Sequence, residues 1–228
     1  IWEWDEDTSG NYDRNDWDYM TVESGSTGIW IDHCTFYKAY DGVVDIKKAA
    51  EGINTNVTVS WCSFLPGSKG SFFDDMMNVL ESGSATSYPY YNHLKNELGM
   101  TVAQIKGYAY AQKKTHLVGA SDTEASMAYL TLTLANNYYL GSMDRMPRLR
   151  AGSAHIYNCI MDASAIYTLR QSIANAEAQS KVVSNGTIST CGASVLVENS
   201  YYNGIINALL SGNSSSPAGK INAINSSY

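Results

Sequence analysis

The sequence predicts an all-β protein, a right-handed parallel β-helix with a large, partly helical insertion around residues 66–113. A short pattern recurs along the chain: an apolar residue, a small polar residue three positions later, and a large apolar residue two positions after that. β-Branched or aliphatic residues lead into several of these windows, as in Asn56-Val-Thr-Val59. A recurring strand that ends at a small polar residue is typical of a solenoid.

The recurring windows give the spacing of the predicted coils. They begin at Ile31, Val59, Leu134, Ile156 and Val197. Successive windows therefore lie 28, 75, 22 and 41 residues apart. Spacings of 22 and 28 residues fit one coil of a β-helix, in which equivalent side chains lie about 4.8 Å apart along the axis. The spacing of 75 predicts a large insertion and the spacing of 41 a smaller one.

Three of the four cysteines occupy the small polar position of a window. Cys34, Cys62 and Cys159 follow the apolar residue of their windows by three positions, whereas Cys191 lies outside the pattern. Stacked coils allow Asn, Ser and Cys at this position to form an internal ladder. We therefore predict ladder thiols, with the disulfide framework of a secreted protein as the alternative.

The insertion has helical character at Asp74–Glu81 and Tyr91–Leu98 and ends near Tyr108 and Tyr110. An extra lobe of this size on a solenoid often belongs to a binding face. Its tyrosines either stack on sugar rings or form a small satellite core, and the sequence leaves both possibilities open. The polar tail from Ser211 onward is expected to cover the last coil loosely.

The charge of the protein limits its partners. The 228 residues include 15 basic and 22 acidic side chains, which gives a net charge of −7. This balance argues against nucleic acid or an anionic membrane as the main partner. The chain also contains no apolar run near the roughly 20 residues of a membrane helix. A polyanionic substrate would need a local basic patch or a bridging cation.

Four aspartates form a candidate cation site. Asp16 and Asp18 lie two residues apart, so in an extended segment they share one face. Asp41 and Asp45 lie too far apart in a straight strand, but a turn at Gly42 could bring them together. Four carboxylates without His or Cys form an oxygen set that suits Ca²⁺ or Mg²⁺. The alternative is a set of unrelated surface acids.

Basic residues lie at coil positions next to the acidic set if the coils stack as predicted. Arg148 and Arg150 are two residues apart and share a face of one strand, and Pro147 interrupts the strand just before them. A cation together with Arg and Lys side chains is what an acidic polysaccharide requires. A solvated basic turn is the alternative. The six residues are Lys47, Lys113, Lys114, Arg145, Arg148 and Arg150.

Five motifs, in order, resemble the extracellular pectate lyases of the first polysaccharide-lyase family. The resemblance runs from Asp16 to about Met161, some two thirds of the chain. The motifs are Trp30-Ile-Asp-His33, Asp41-Gly-Val-Val-Asp-Ile46, Asn56-Val-Thr-Val-Ser60, Lys114-Thr-His-Leu-Val-Gly119 and Arg145-Met-Pro-Arg-Leu-Arg150 followed by His155.

The resemblance implies Ca²⁺-dependent β-elimination of polygalacturonate by a secreted, extracellular enzyme. By position in the motifs, Arg145 corresponds to the base, while Lys114 and Arg150 correspond to contacts with the substrate carboxylate and the oxyanion. Lys47 corresponds to a further substrate contact, and Arg148 is also expected to bind the substrate. The calcium positions correspond to Asp16, Asp18, Asp41 and Asp45.

The resemblance also implies further coils ahead of Asp16. We therefore expect residues 1–228 to form a single β-helix domain that lacks its N-terminal coils, which a separate chain could carry. Pectin lyase is the nearest alternative, but those relatives lack the acidic calcium set. A polygalacturonase would need paired catalytic carboxylates acting with water. A β-helical adhesin or carbohydrate-binding module would explain the repeat but not the site residues.

Overall fold

The computed structural model describes residues 17–39, 41–82 and 88–228, and its strands form a right-handed parallel β-helix, which confirms the predicted fold. Three parallel sheets run along the helix axis. The strands are β1 (Met20–Val22), β2 (Trp30–Asp32), β3 (Thr35–Tyr37), β4 (Val44–Ile46), β5 (Val57–Ser60), β6 (Ser63–Leu65), β7 (Leu117–Val118), β8 (Thr131–Ala135), β9 (Tyr138–Leu140), β10 (Arg148–Arg150), β11 (Ser153–Tyr157), β12 (Ile160–Asp162), β13 (Asn185–Thr190), β14 (Ser194–Glu198), β15 (Tyr201–Asn203), β16 (Asn207–Ser211) and β17 (Lys220–Ile224). Sheet A has the strand order β1-β4-β7-β10-β13-β16, sheet B the order β17-β14-β11-β8-β5-β2, and sheet C the order β15-β12-β9-β6-β3.

The five predicted windows stack in register in sheet B. Ile31 pairs with Val59, Val59 with Leu134, Leu134 with Ile156, and Ile156 with Val197. Val59, Leu134, Ile156 and Val197 are fully buried, as an apolar position that repeats once per coil requires. The windows therefore mark successive coils.

The C-terminal tail does not cover the last coil loosely, so that expectation is wrong. Strand β17 pairs with β14 along all five of its residues, and Ala223 continues the row of Val197, where it is exposed at the end of the sheet. The sequence obscures this coil because the strand includes polar Lys220 and Asn222.

The interior of the coils is filled by large side chains from all three sheets. In sheet C, the Phe64 ring stacks on Phe36 with a centroid distance of 5.3 Å and on Tyr139 with 4.6 Å. Alternation along each strand points one residue in two inward, which builds this continuous column. We call the whole cluster the coil core, which includes Val44, Val59, Phe64, Leu134, Tyr139, Leu149, Ile156 and Met161.

The cysteines of the windows are free and belong to an internal hydrogen-bond ladder, as predicted. The Cys34 N–H donates to Cys62 Sγ at 3.4 Å, and the Cys62 N–H donates to Asn137 Oδ1 at 2.9 Å. Further along, the Cys159 N–H donates to Ser200 Oγ at 3.2 Å. The ladder satisfies backbone donors that the turn between sheets B and C would otherwise leave buried without a partner.

The residues of the insertion form helices that pack on one side of the coils. These helices are α1 (Phe72–Ser82), α2 (Pro89–Asn92), a π-helical turn (His93–Glu97) and α3 (Val102–Tyr110), and they are joined by α4 (Ser164–Ser172) and α5 (Ala176–Lys181). Thr101 and Gln104 form a capping box at the start of α3, which fixes where that helix begins. No helix in the described ranges has the length and apolar character needed to cross a membrane.

The tyrosines of the insertion belong to a second core, which favours the satellite-core alternative over sugar stacking. Tyr108 is buried, and the Lys113 ammonium lies 3.0 Å from the centroid of its ring. We call α1 to α5 with the π-helical turn the helical layer. Its core includes Met77, Leu80, Tyr90, Tyr91, Leu94, Ile105, Tyr108, Ile166, Ile173 and Ala178. The boundary of a separate lobe at residues 66–113 stays a prediction.

Candidate active site

Two carboxylates converge on Gly42 at the edge of sheet A. The Gly42 N–H donates to Asp18 Oδ1 at 3.0 Å. A Cβ atom at Gly42 would lie 2.6 Å from that oxygen and 2.5 Å from Asp45 Oδ1. Asp18 lies just before β1, and Asp45 is the middle residue of β4, where it pairs with Thr21. Parallel stacking of the first two coils therefore brings these carboxylates together, whereas the predicted ligand Asp16 lies outside the described residues.

Asp45 is the most buried acid of this group, with 1% of its surface exposed. Its Oδ1 accepts a hydrogen bond from the Leu117 N–H at 2.8 Å. Burial raises the pKa of Asp45 to about 7, and the negative charges of Asp18 and Asp41 act in the same direction. The Leu117 N–H and the positive charge of Arg145 oppose that rise in the pKa.

Lysines already contact the other two acids. Lys47 Nζ lies 2.7 Å from Asp18 Oδ2, and Lys114 Nζ lies 2.6 Å from Asp41 Oδ1. Within the described ranges, no group of three or more His, Cys, Asp or Glu side chains is arranged to hold a metal. Asp18 and Asp45 nevertheless fit a hard cation such as Ca²⁺, because both present oxygen and their mutual repulsion favours a positive charge between them.

The register of sheet A places the predicted basic residues in rows beside the acids. Ile46 pairs with Val118, which in turn pairs with Leu149. The next residues along these strands are Lys47, Gly119 and Arg150, so the two predicted substrate contacts share one row. Lys114 precedes β7 and Arg145 precedes β10 by equal distances, at the opposite ends of the same strands.

Arg145 lies in the turn before β10 and adopts a left-handed conformation with φ of 64°. Its carbonyl oxygen accepts a hydrogen bond from the His116 N–H at 2.8 Å, which ties the turn to the preceding coil. Its side-chain Nε is buried and forms no hydrogen bond with any described residue. Asp144 Oδ2 lies 3.9 Å from that nitrogen. The backbone of Arg145 is therefore held in one conformation, whereas its Nε has only a long contact with Asp144.

The two arginines of β10 have different surroundings. Arg150 Nη1 donates to the Gly119 carbonyl at 3.0 Å, and its Nε lies 2.6 Å from Asp122 Oδ1. Arg148 Nη2 contacts the Asn213 carbonyl at 3.1 Å and the hydroxyls of the next two serines at 3.0 and 3.1 Å.

Arg148 is the predicted site residue whose placement fits its role least well. The residue is buried, and burial together with the neighbouring Arg150 lowers the pKa of Arg148. Its guanidinium anchors residues 213–215, and no sequence pattern predicts that these residues lie beside Arg148. This geometry favours a structural role for Arg148 over the predicted substrate contact.

His116 holds the acidic strand in place, and sequence reasoning did not single it out. Its Nδ1 lies 2.9 Å from the Val44 carbonyl, and its Nε2 lies 3.0 Å from the Tyr139 hydroxyl. A carbonyl only accepts, so Nδ1 carries the proton and Nε2 accepts from Tyr139. Burial lowers the pKa of His116 to about 4, which keeps the ring neutral. The sequence signal that could have identified it was a histidine between two strand-forming residues, two positions after Lys114.

Comparison with known proteins gives one consistent result. Residues 100–224 match the model of a family described as pectate lyase. Pectate lyase B of Paenibacillus amylolyticus is 47% identical over 211 residues, which are 88% of this chain and 52% of that protein. A pectate trisaccharide-lyase of Thermotoga maritima is 34% identical over 149 residues, which are 64% of this chain and 27% of that protein.

Solved structures support the same relationship. A pectate lyase from Paenibacillus sp. 0602 superposes with a TM-score of 0.88 at 40% identity, over 99% of this chain and 53% of that chain. A pectate lyase from Bacillus sp. N165, solved with trigalacturonate, shares the fold with a TM-score of 0.55 at 21% identity, over 92% of this chain and 50% of that chain. The chain thus spans about half the length of the relatives that it matches over most of its own length. Because the family model matches more than half of its residues, the chain belongs to the pectate lyase family.

Proposed function

We propose that this chain carries the active site of a Ca²⁺-dependent pectate lyase. Its reaction would be β-elimination of polygalacturonate to 4,5-unsaturated oligogalacturonates, with Arg145 as the base. The observation that carries the proposal is the outer face of sheet A, where converging carboxylates lie beside Lys47, Lys114 and Arg150. The 47% identity to a protein named pectate lyase B supports the choice of substrate.

The charges of the site suit a polyanionic substrate. The net charge of −7 would repel polygalacturonate, but Lys47 and Lys114 contact Asp18 and Asp41, and Arg150 lies in the same row of sheet A as Lys47. A Ca²⁺ ion held by Asp18 and Asp45, with Asp16 and Asp41 as further proposed ligands, would supply positive charge that acidifies the proton beside the uronate carboxylate. Lys47 is then proposed to contact the substrate at the end of the row that it shares with Arg150.

Each basic residue has a separate part in the proposed reaction. Arg145 takes the proton from C5 of the uronate, and the glycosidic oxygen leaves from C4 with the electron pair of that bond. Lys114 and Arg150 stabilise the negative charge that develops on the carboxylate during proton removal. We expect an alkaline optimum, because a free guanidinium has a pKa above about 12 and must lose its proton to act as a base.

The fixed turn around Arg145 supports its role. The left-handed backbone and the hydrogen bond to His116 hold the residue in one place, which lowers the cost of orienting its side chain. Arg145 Nε forms no hydrogen bond within the described residues, and its contact with Asp144 spans 3.9 Å. Arg148 Nε also forms none, but Arg148 Nη2 has three contacts to residues 213–215, which hold that guanidinium in a structural network. The substrate is an extracellular polymer, so we also propose that the protein is secreted, which activity in cell-free culture medium would test.

The test is ultraviolet absorbance of the unsaturated product formed from polygalacturonate, with added Ca²⁺ and with chelator. We expect product only with Ca²⁺, and a loss of at least about a hundredfold in the rate for Arg145→Ala, because removal of a general base typically costs this much. Arg170→Lys in α4 is the matched control, because it changes an arginine outside the site. Product that is unaffected by chelator, or formed only from methyl-esterified pectin, would instead favour a pectin lyase.

A further inference from the structure

We propose that Asp122 is a positioning residue that orients the guanidinium of Arg150 toward the substrate, and that Ser215 holds the Asp122 carboxylate in place. The inference rests on the proposed function, because it assigns a role to a residue that acts through Arg150. It adds two residues that have no predicted role: Asp122, which follows the motif at residues 114–119, and Ser215, which lies far from that motif in sequence.

The first step is the way in which Arg150 is held. Its Nε lies 2.6 Å from Asp122 Oδ1 in an ion pair that lacks the geometry of a hydrogen bond, and its Nη1 donates to the Gly119 carbonyl at 3.0 Å. Gly119 has a φ of 102°, and a Cβ atom there would lie 2.8 Å from the Arg150 carbonyl oxygen. Only glycine permits this close approach, which brings the segment leading to Asp122 against the end of β10. The guanidinium is thus contacted by one carboxylate and one carbonyl.

The second step is what fixes Asp122. A hydrogen bond from Ser215 lowers the pKa of Asp122, and the positive charges of Arg150 and Arg148 act in the same direction. The Ser215 hydroxyl also lies 3.1 Å from Arg148 Nη2. Because an arginine only donates, the hydroxyl accepts from Arg148 and its one proton is directed to Asp122. Donation therefore runs from Arg148 through Ser215 to Asp122, and Arg150 contacts the same carboxylate from the other end of this chain of contacts.

The third step is the cost of building this chain of contacts. Asn213 and Ser214 both adopt left-handed conformations, with φ of 72° and 63°. Two successive non-glycine residues in this region persist only where surrounding contacts hold them. Here Arg148 provides those contacts through the Asn213 carbonyl and the Ser214 hydroxyl. The strained turn places Ser215 next to Asp122.

The functional consequence concerns orientation. A guanidinium that is contacted on its Nε and Nη1 side keeps its other edge for a substrate carboxylate. Without Asp122, this group would sample several orientations, and the entropy lost on binding would increase. The Asp122 side chain is 43% exposed, so water competes for its oxygens. We therefore expect a loss of roughly ten- to thirtyfold in kcat/KM for Asp122→Ala, well below the loss for removing Arg150 itself.

A double-mutant cycle tests the proposal. Asp122→Ala is expected to lower kcat/KM in the wild-type background and to have no further effect in the Arg150→Ala background. Asp122→Asn, which keeps an acceptor oxygen, should retain part of the lost activity, and Ser215→Ala should lie between Asn and wild type. Glu124→Ala is the matched control, because this nearby acid pairs with Lys48 on the surface. An equal loss from Asp122→Ala in both backgrounds would overturn the proposal.

A second measurement does not depend on turnover. In protein labelled with ¹⁵N-arginine, the side-chain signals of Arg150, assigned by their loss in Arg150→Lys, should show restricted guanidinium rotation that Asp122→Ala abolishes. Unchanged rotation in that variant would overturn the positioning role whether or not the enzyme is active. Absence of unsaturated product from wild-type protein, with restricted rotation intact, would instead count against the proposed function alone.

Discussion

Gly42 has the most demanding position in the proposed cation site. Its N–H contacts Asp18, and a side chain on its Cα would lie within 2.6 Å of oxygens from both Asp18 and Asp45. These oxygens belong to buried side chains, so they have little room to move away. Gly42 therefore lines the space in which a cation would bind.

We predict that Gly42→Ala weakens Ca²⁺ binding at least about tenfold, because the new methyl group fills the space between the two carboxylates. Isothermal titration calorimetry with Ca²⁺, on protein from which a chelator has removed metal, measures the affinity. Gly107→Ala is the matched control, because its Cβ would meet only the flexible end of Leu169 at 3.3 Å. Unchanged affinity in Gly42→Ala would place the cation elsewhere.

His116 makes stability depend on pH. Its pKa falls from 6.5 in the unfolded chain to about 4 in the folded protein, because the ring is buried. Between these values the unfolded state binds more protons, so the contribution is fully present above pH 6.5 and is lost as the pH falls toward 4. We predict a loss of about 3 kcal/mol in the free energy of unfolding across that interval.

The measurement is urea unfolding at several pH values, for wild type and His116→Gln. The variant should be less stable near neutral pH but should lose less stability on acidification, because glutamine does not titrate. Tyr139→Phe removes the hydroxyl partner and keeps the buried ring, so it should keep the wild-type pH dependence. Equal slopes for wild type and His116→Gln would contradict the prediction.

Single residues of the site differed in how far the sequence could predict them. Asp45 lies in β4, and Asp18 and Lys47 lie next to β1 and β4, whose stacking follows from the repeat, so their proximity could be inferred. Asp122 and Ser215 could not be inferred, because they meet only through a turn between β16 and β17 that reaches back three coils. The burial of Arg148 depends on the same turn and was missed for the same reason.

At the scale of the elements, the ladder between sheets B and C stabilises each coil. The Asn137 side chain accepts from the Cys62 N–H at 2.9 Å and donates to the Val59 carbonyl at 2.8 Å. Asn137 is buried, so these two hydrogen bonds are shielded from water. The residue before each ladder position has a positive φ, which turns the chain from sheet B into sheet C. These residues are His33, Trp61, Asn136, Asn158, Asn199 and Asn225.

We predict that Asn137→Ala lowers the free energy of unfolding by roughly 2 to 4 kcal/mol, because it leaves a buried donor and a buried acceptor unpaired. Urea unfolding measures the change. Cys62→Ser is the matched control, because a hydroxyl can still accept from Cys34, and its loss should be smaller. A loss for Asn137→Ala of less than 1 kcal/mol would mean that water replaces the ladder contacts.

The strands that the sequence predicts have local sequence patterns, whereas the elements that it does not predict have weaker ones. The strands of sheet B repeat one short pattern, so their register followed from residues such as Val59 and Ile156. Strand β17 keeps that pattern in a weaker form, because small Ala223 takes the apolar position ahead of Ser226 and Tyr228, and the strand pairs only on one side. The left-handed turn before each ladder residue was not predicted, although four of the six residues are Asn, which favours that conformation. Trp61 is the unusual residue among them.

At the scale of the whole molecule, the residues that the structure describes form two hydrophobic cores. The coil core lies inside the three sheets, and the helical-layer core lies between the insertion helices and α4 and α5. Ile205 packs against both clusters. Lys114 follows α3 closely, and Arg145 lies close to Met143, which contacts the helical layer. The layer therefore supports the ends of the strands that carry the basic residues.

We predict that the helical layer opens as a unit separate from the coils. Leu94→Ala, at a fully buried position in the helical-layer core, should destabilise that core by about 2 to 5 kcal/mol through loss of packing. Hydrogen exchange should then accelerate in α1 to α5 and hardly change in sheet B, because few contacts transmit the defect. Leu134→Ala, equally buried in the coil core, is the matched control and should accelerate exchange along the sheets. If Leu94→Ala accelerates exchange in sheet B as much as in the helices, the two cores form one cooperative unit and the layer is not a separate lobe.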